Sequence, residues 1–295
     1  MRGSSSGAIA KGLTVVAFIE RLRAAREKNR SLLCVGLDVD PRLAPPGIVR
    51  HDDWITQFNR GIVEATQDLV CAYKPNLAFY EAQGLRGWEA LKATVELVPQ
   101  GIPVIGDAKR GDIGNTAEAY ASALFDYLEL DAATVSPYLG EDSLTPFLER
   151  EDRGILVLCK TSNPGSGDLQ DVLCLTEDDR TIPMWELVAE RVVSWNTRGN
   201  CGLVVGATYP AILERVRAIA PEIPILIPGV GPQAGDLRAS VSAGMPLKSS
   251  AVMINASRQV LYASRGDDWR EAARQTALEL RDAINEACDS VMETA

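Results

Sequence analysis

Pro103-Val104-Ile105-Gly106-Asp107-Ala108-Lys109-Arg110-Gly111-Asp112-Ile113-Gly114-Asn115-Thr116 passes from a short apolar run into dense charge and then into glycine-punctuated polar sequence. The apolar run reads as a buried strand. Residues two apart on a strand share a face, so Asp107 and Lys109 project the same way from its C-terminal end. Asp112 comes just past that end, where a helix begins. Two carboxylates around one ammonium are costly to bury unless every charge has a partner. The cluster therefore points to chemistry rather than to fold stabilisation.

The same unit recurs on both sides of this stretch. Short apolar runs lie at Leu32–Leu37, Ala72–Pro75, Pro103–Gly106, Ala132–Val135, Ile155–Cys159, Gly202–Gly206, Ile225–Ile227 and Ala251–Ile254. Amphipathic segments separate them: 54–70, 81–98, 116–128, 143–150, 183–197, 210–220 and 236–243, with 15–27 before the first run and 269–288 after the last. Continuous apolarity, rather than alternation, marks strands buried on both faces, as in a parallel sheet. Eight strand–helix units predict a single-domain (β/α)8 TIM barrel, with an open doubly wound sheet as the alternative. The barrel domain is expected over 13–295. The small polar opening over 1–12 reads as a disordered or expression-derived extension.

Composition narrows the function. The 295 residues are 46% hydrophobic, enough for a full core. Thirty Lys and Arg against forty Asp and Glu leave a net charge of −10, which argues against nucleic acid and anionic membranes as partners. An anionic substrate needs a local positive pocket. Six cysteines without a CxxC pair suit a reducing, cytoplasmic setting. The single histidine, His51, stands beside Asp52 and Asp53 in a polar loop, which excludes histidine-based triads and reads as solvated rather than metal-binding. No apolar stretch reaches the roughly 18 residues of a spanning helix.

Polar residues gather just after the apolar runs: Asp38, Lys74, then Asp107, Lys109 and Asp112, then Ser136, Thr161 and Ser162, Gln233 and Arg258. In a barrel these positions converge on one rim, where barrel active sites lie. Gly229–Gly235 has the wrong spacing for a dinucleotide fingerprint. It suits a phosphate held by backbone N–H groups, with Arg258 as a bidentate clamp, or else a plain tight turn. The long connection Lys160–Ile182 is expected to be a lid or a decorated loop.

Taken in order, Gly36-Leu37-Asp38, Tyr73-Lys74-Pro75-Asn76, the Asp107–Thr116 run, Ser136-Pro137-Tyr138-Leu139-Gly140, Thr161-Ser162-Asn163-Pro164-Gly165 and Pro228–Asp236 resemble the orotidine 5′-phosphate decarboxylases of the longer bacterial subgroup. The resemblance covers about residues 18 to 285. It implies removal of CO2 from orotidine 5′-monophosphate to give uridine 5′-monophosphate, with no metal or organic cofactor. Lys74, Asp107, Lys109 and Asp112 would form the charged array, Lys109 being the proton donor. Asp38 and Lys74 would bind ribose hydroxyls, Ser162 the pyrimidine edge, and Gln233 and Arg258 the phosphate. Asp112, Ile113 and Thr116 would complete the neighbouring site of a homodimer. Val39, Pro232 and Ala256 depart from the expected pattern, in loops rather than at charged positions. The Asp-x-Lys-x-x-Asp pattern alone is shared with Mg2+-dependent sugar-phosphate barrels, namely 3-keto-gulonate-6-phosphate decarboxylase and hexulose-phosphate synthase. A catalytically dead nucleotide-binding barrel is the remaining alternative.

Overall fold

The computed structural model describes residues 17–229, 237–245 and 252–294. The expected extension over 1–12 lies outside them, as does Gln233. Eight strands are parallel and hydrogen-bonded in sequence: β1 (Leu33–Gly36), β2 (Ala72–Lys74), β3 (Ile105–Arg110), β4 (Ala132–Val135), β5 (Gly154–Lys160), β8 (Cys201–Val205), β9 (Ile225–Pro228) and β10 (Val252–Ala256). Their order runs β2-β1-β10-β9-β8-β5-β4-β3. The ends meet through the bridges Tyr73–Val104 and Asn76–Asp107, which close the barrel between β2 and β3. Each strand coincides with one of the eight apolar runs, so the closed barrel replaces the open-sheet alternative.

Helices return the chain outside the barrel: α1 (Phe18–Asn29) before β1, then α2 (Trp54–Thr66), α3 (Leu85–Leu97), α4 (Gly114–Ser122), α5 (Glu141–Leu148), α6 (Met184–Trp195), α7 (Pro210–Ile219), α8 (Leu237–Gly244) and α9 (Trp269–Thr294). A large apolar layer lies between strands and helices. A second, smaller cluster fills the barrel with one residue from each strand: Cys34, Ala72, Ile105, Ala132, Leu156, Val204, Leu226 and Met253. Phe18 and Leu22 of α1 join that cluster, and Phe18 packs over Gly154 at the start of β5. The barrel is thus plugged at its N-terminal end, leaving the opposite rim for polar groups.

Three segments differ from the sequence reading. The helix expected over 81–98 breaks at Gly84, whose φ of 65° favours glycine, giving a short turn of helix before α3. β3 extends four residues beyond the apolar run, because Asp107 to Arg110 belong to the strand itself. The connection after β5 is a folded insertion, with a one-turn helix (Gly167–Gln170) and an antiparallel hairpin of β6 (Leu173–Leu175) and β7 (Thr181–Pro183). No helix among the described residues is long and apolar enough to cross a membrane.

Candidate active site

β3 carries the centre of the site. Its pairing with β4 shifts between Gly106 and Arg110, so Asp107, Ala108 and Lys109 leave the ladder. Lys109 takes a left-handed backbone, φ 49°. That combination is a bulge, a device that re-aims side chains at barrel rims. Asp107 then receives two ammonium groups. Lys74 Nζ, at the end of β2, donates to Oδ2 at 2.8 Å, and Lys109 Nζ donates to Oδ1 at 2.5 Å. The Thr134 hydroxyl donates to the same Oδ1 at 3.0 Å.

Exposure grades across this cluster. Lys74 is 4% exposed at its side chain, Asp107 12% and Lys109 48%. Burial by itself would raise the Asp107 pKa, but the Lys74 and Lys109 ammoniums outweigh it and hold the carboxyl well below its usual range. Burial would likewise depress Lys74, yet Asp107 and then Asp38 keep its ammonium above the ordinary value. Lys74 and Asp107 thus form a fixed, fully ionised base, from which the half-exposed Lys109 reaches into the open rim.

The other predicted residues fall around this centre. Asp38 follows β1, and its Oδ1 is buried without a hydrogen-bond partner among the described residues. Tyr262 fixes that loop by donating to the Asp38 carbonyl at 2.8 Å and accepting from the Asp40 N–H at 2.6 Å. A Cβ on Gly36 would lie 1.9 Å from Ser257 Oγ, so the ends of β1 and β10 approach closely and bring Arg258 to the same rim. Ser162, exposed after β5, stands over the ends of β8 and β9. A Cβ on Gly206 would meet its Cβ at 2.9 Å, and one on Gly229 would lie 3.6 Å from its Oγ.

Asp112 is not gathered into the cluster of its own chain. It accepts from the Ile113 N–H at 2.8 Å, and among the described residues it forms no ion pair. Ile113 and Thr116 beside it are exposed. The sequence reading of Lys109 between two acids therefore holds for Asp107 within one chain and not for Asp112.

Sequence reasoning passed over Thr134, Tyr262 and Lys160. Lys160 closes β5 with its side chain buried, donates to Asp171 Oδ1 at 2.7 Å and lies 5.0 Å from the centre of the Tyr209 ring. A hydroxyl inside the apolar run Ala132–Val135, and a lysine directly after Ile155–Cys159, were the signals available.

Comparison with known proteins agrees with the barrel fold. The family model described as orotidine 5′-phosphate decarboxylase / HUMPS family matches residues 31–276. The orotidine 5′-phosphate decarboxylase of Herpetosiphon aurantiacus is 53% identical over 260 residues, covering 88% of this chain and 95% of that one. The solved OMP decarboxylase of Leishmania donovani is 43% identical, with a TM-score of 0.76 over 92% of this chain and 99% of its own. The Leishmania donovani UMP synthase matches at 43% identity and a TM-score of 0.78, and there this chain spans 57% of the partner's length. With a family model matching residues 31–276 and a relative 53% identical over 88% of the chain, this chain belongs to the orotidine 5′-phosphate decarboxylase / HUMPS family.

Proposed function

We propose that this protein converts orotidine 5′-monophosphate to uridine 5′-monophosphate and CO2, the last step of UMP synthesis. The observation that carries the reading is the Asp107 carboxylate shared by two lysines, one buried and one reaching into the rim. Breaking the bond between C6 and the carboxylate leaves an electron pair in the plane of the pyrimidine ring, where no π system accepts it. The site must supply positive charge at that atom. Lys109 does so with an ammonium already oriented by Asp107, so little reorganisation remains at the moment of reaction. A proton then passes from Lys109 Nζ to C6, and the neutral amine recovers a proton from water.

In this reading Asp107 faces the substrate carboxylate, and its negative charge adds repulsion to the bound substrate. Asp38, with its unpartnered buried oxygen, and Lys74 serve the ribose hydroxyls. Ser162 meets the pyrimidine edge. Arg258 and Gln233 hold the phosphate, far from the reacting carbon, where binding energy can be used to order the site. The exposed Ile113, and an Asp112 that forms no ion pair among the described residues, support a homodimer in which Asp112, Ile113 and Thr116 complete the neighbouring site. The chemistry assigned to Lys109 calls for no metal or organic cofactor. Six cysteines without a CxxC pair fit a cytoplasmic, single-domain enzyme, and the net charge of −10 fits a small nucleotide rather than nucleic acid as its partner.

A spectrophotometric assay with orotidine 5′-monophosphate, run with and without EDTA, tests the reading. Turnover unaffected by EDTA is expected. Absence of turnover sinks the proposal, and turnover that EDTA abolishes overturns the metal-free mechanism assigned to Lys109.

A further inference from the structure

We propose that Thr134 is the positioning residue for Lys109, tying the backbone at the proton donor to the carboxylate that holds its ammonium. This role rests on the decarboxylase reading above; the hydrogen-bond node itself does not. Thr134 is a buried residue of β4, lying two positions beyond Ala132 of the barrel layer. Its Oγ1 accepts from the Ala108 N–H and the Lys109 N–H, each at 3.0 Å, and donates to Asp107 Oδ1 at 3.0 Å. A hydroxyl offers one proton and two lone pairs, so all of its capacity is used.

The bulge explains why such a group is needed. β3 pairs with β4 at Gly106↔Ala133 and resumes at Arg110↔Val135. Three residues of β3 therefore face the single residue Thr134. The Ala108 and Lys109 N–H groups have no register partner on β4, and backbone donors shielded from water and left unmade are costly. The Thr134 oxygen takes both. A left-handed lysine persists only where its surroundings over-determine it. Here the backbone N–H is pinned from β4, while the side chain returns to the carboxylate that the same hydroxyl holds. Asp107 Oδ1 thus collects the Lys109 ammonium and the Thr134 proton together.

The residue type is informative. Valine has the same shape and equal fitness for a buried strand, but it would strand two N–H groups and free one lone pair of Asp107. Serine keeps the hydroxyl and loses only a methyl group.

The test uses the full chain with Thr134→Val and Thr134→Ser. Because misplacing a catalytic group by about 1 Å can cost on the order of 10²-fold, Thr134→Val is expected to lower kcat by roughly 10–100-fold with KM within about threefold. Thr134→Ser is expected to stay within about threefold of the unaltered enzyme in both constants, since the bonds are kept. Unchanged kcat in Thr134→Val, or equal losses in the two variants, would overturn the proposal. Amide exchange supplies a readout without substrate. The Ala108 and Lys109 amides should be protected in the unaltered protein and in Thr134→Ser, and should lose protection in Thr134→Val. If Thr134→Val does not fold, Thr134→Cys replaces it with the same expected split, and unprotected Ala108 and Lys109 amides in the unaltered protein still refute the node. An unaltered protein without turnover refutes the decarboxylase reading instead, and the exchange pattern then decides this inference by itself.

Discussion

Two lysines end two barrel strands with their side chains withdrawn from water, and they are held differently. Lys74, on β2, meets Asp107, which is itself buried and shared with Lys109. Lys160, on β5, is 1% exposed and meets Asp171, which is 51% exposed and pairs with no second cation among the described residues. The first arrangement carries more cation than anion at its core and opens onto a rim where Asp38 keeps an unpartnered oxygen. The second is balanced one to one, is shielded by the Tyr209 ring and joins the barrel to the insertion that follows β5. Thr161 reinforces that joint, its N–H donating to Gln170 Oε1 at 2.9 Å and its hydroxyl accepting from Gln170 Nε2 at 2.9 Å. Imbalance prepares a site for an anionic substrate, whereas balance fastens a loop and, through it, Ser162.

The sharpest way to break this contrast is Lys109→Ala. Its half-exposed ammonium leaves no unpaired buried charge behind, so the fold should survive while decarboxylation falls by about 10²–10³-fold or more. Retention of a tenth of the activity, measured with an unchanged melting temperature, would refute the role of Lys109. Mixing that variant with Asp112→Ala tests the shared site. Random subunit exchange makes about half of the dimers hybrid with one intact site each, so about a quarter of full activity should return. No recovery after verified exchange would count against shared sites.

Asp107→Asn should strike both activity and stability, because it leaves Lys74 buried opposite a neutral group. A loss of about 3–5 kcal/mol in urea denaturation is expected. Asp171→Asn should lose less than half of that, since its position is half open to water. Equal losses would erase the distinction between the two lysines. Acid provides a milder test. The Asp107 carboxyl is held below its unfolded value, so the folded state binds fewer protons. Its contribution is fully present above the unfolded pKa of about 4 and disappears as pH falls through the folded value. Urea midpoints between pH 7 and pH 3 should therefore fall less in Asp107→Asn than in the unaltered protein.

The smallest effect is expected from loosening the insertion. Lys160→Met should raise KM by roughly threefold to tenfold with kcat little changed, because it disturbs the placement of Ser162 without touching the charged cluster. A fall in kcat as large as that of Lys109→Ala would place Lys160 in the chemistry.

Much of the barrel was legible in one dimension. Continuous apolar runs such as Ile155–Cys159 announce strands buried on both faces, and their regular separation by amphipathic segments leaves few architectures. The hairpin Leu173–Leu175 with Thr181–Pro183 was not legible, because its strands are three residues long and mostly exposed, without periodicity to display. The extent of β3 was hidden for the opposite reason. Its charged half is stabilised by partners on β2 and β4, and nothing local to Asp107–Arg110 favours a strand.

The candidate site divides along the same line. Residue types and spacing placed Lys74, Asp107 and Lys109 at strand ends on one rim, since side-chain chemistry and strand period are properties of the chain alone. Only the folded barrel decided that Asp107 serves both lysines while Asp112 forms no ion pair among the described residues, and that Thr134 lies beneath the donor. Those choices depend on where β3 leaves its ladder and on barrel closure beside β2, distances set by packing between segments far apart in the sequence.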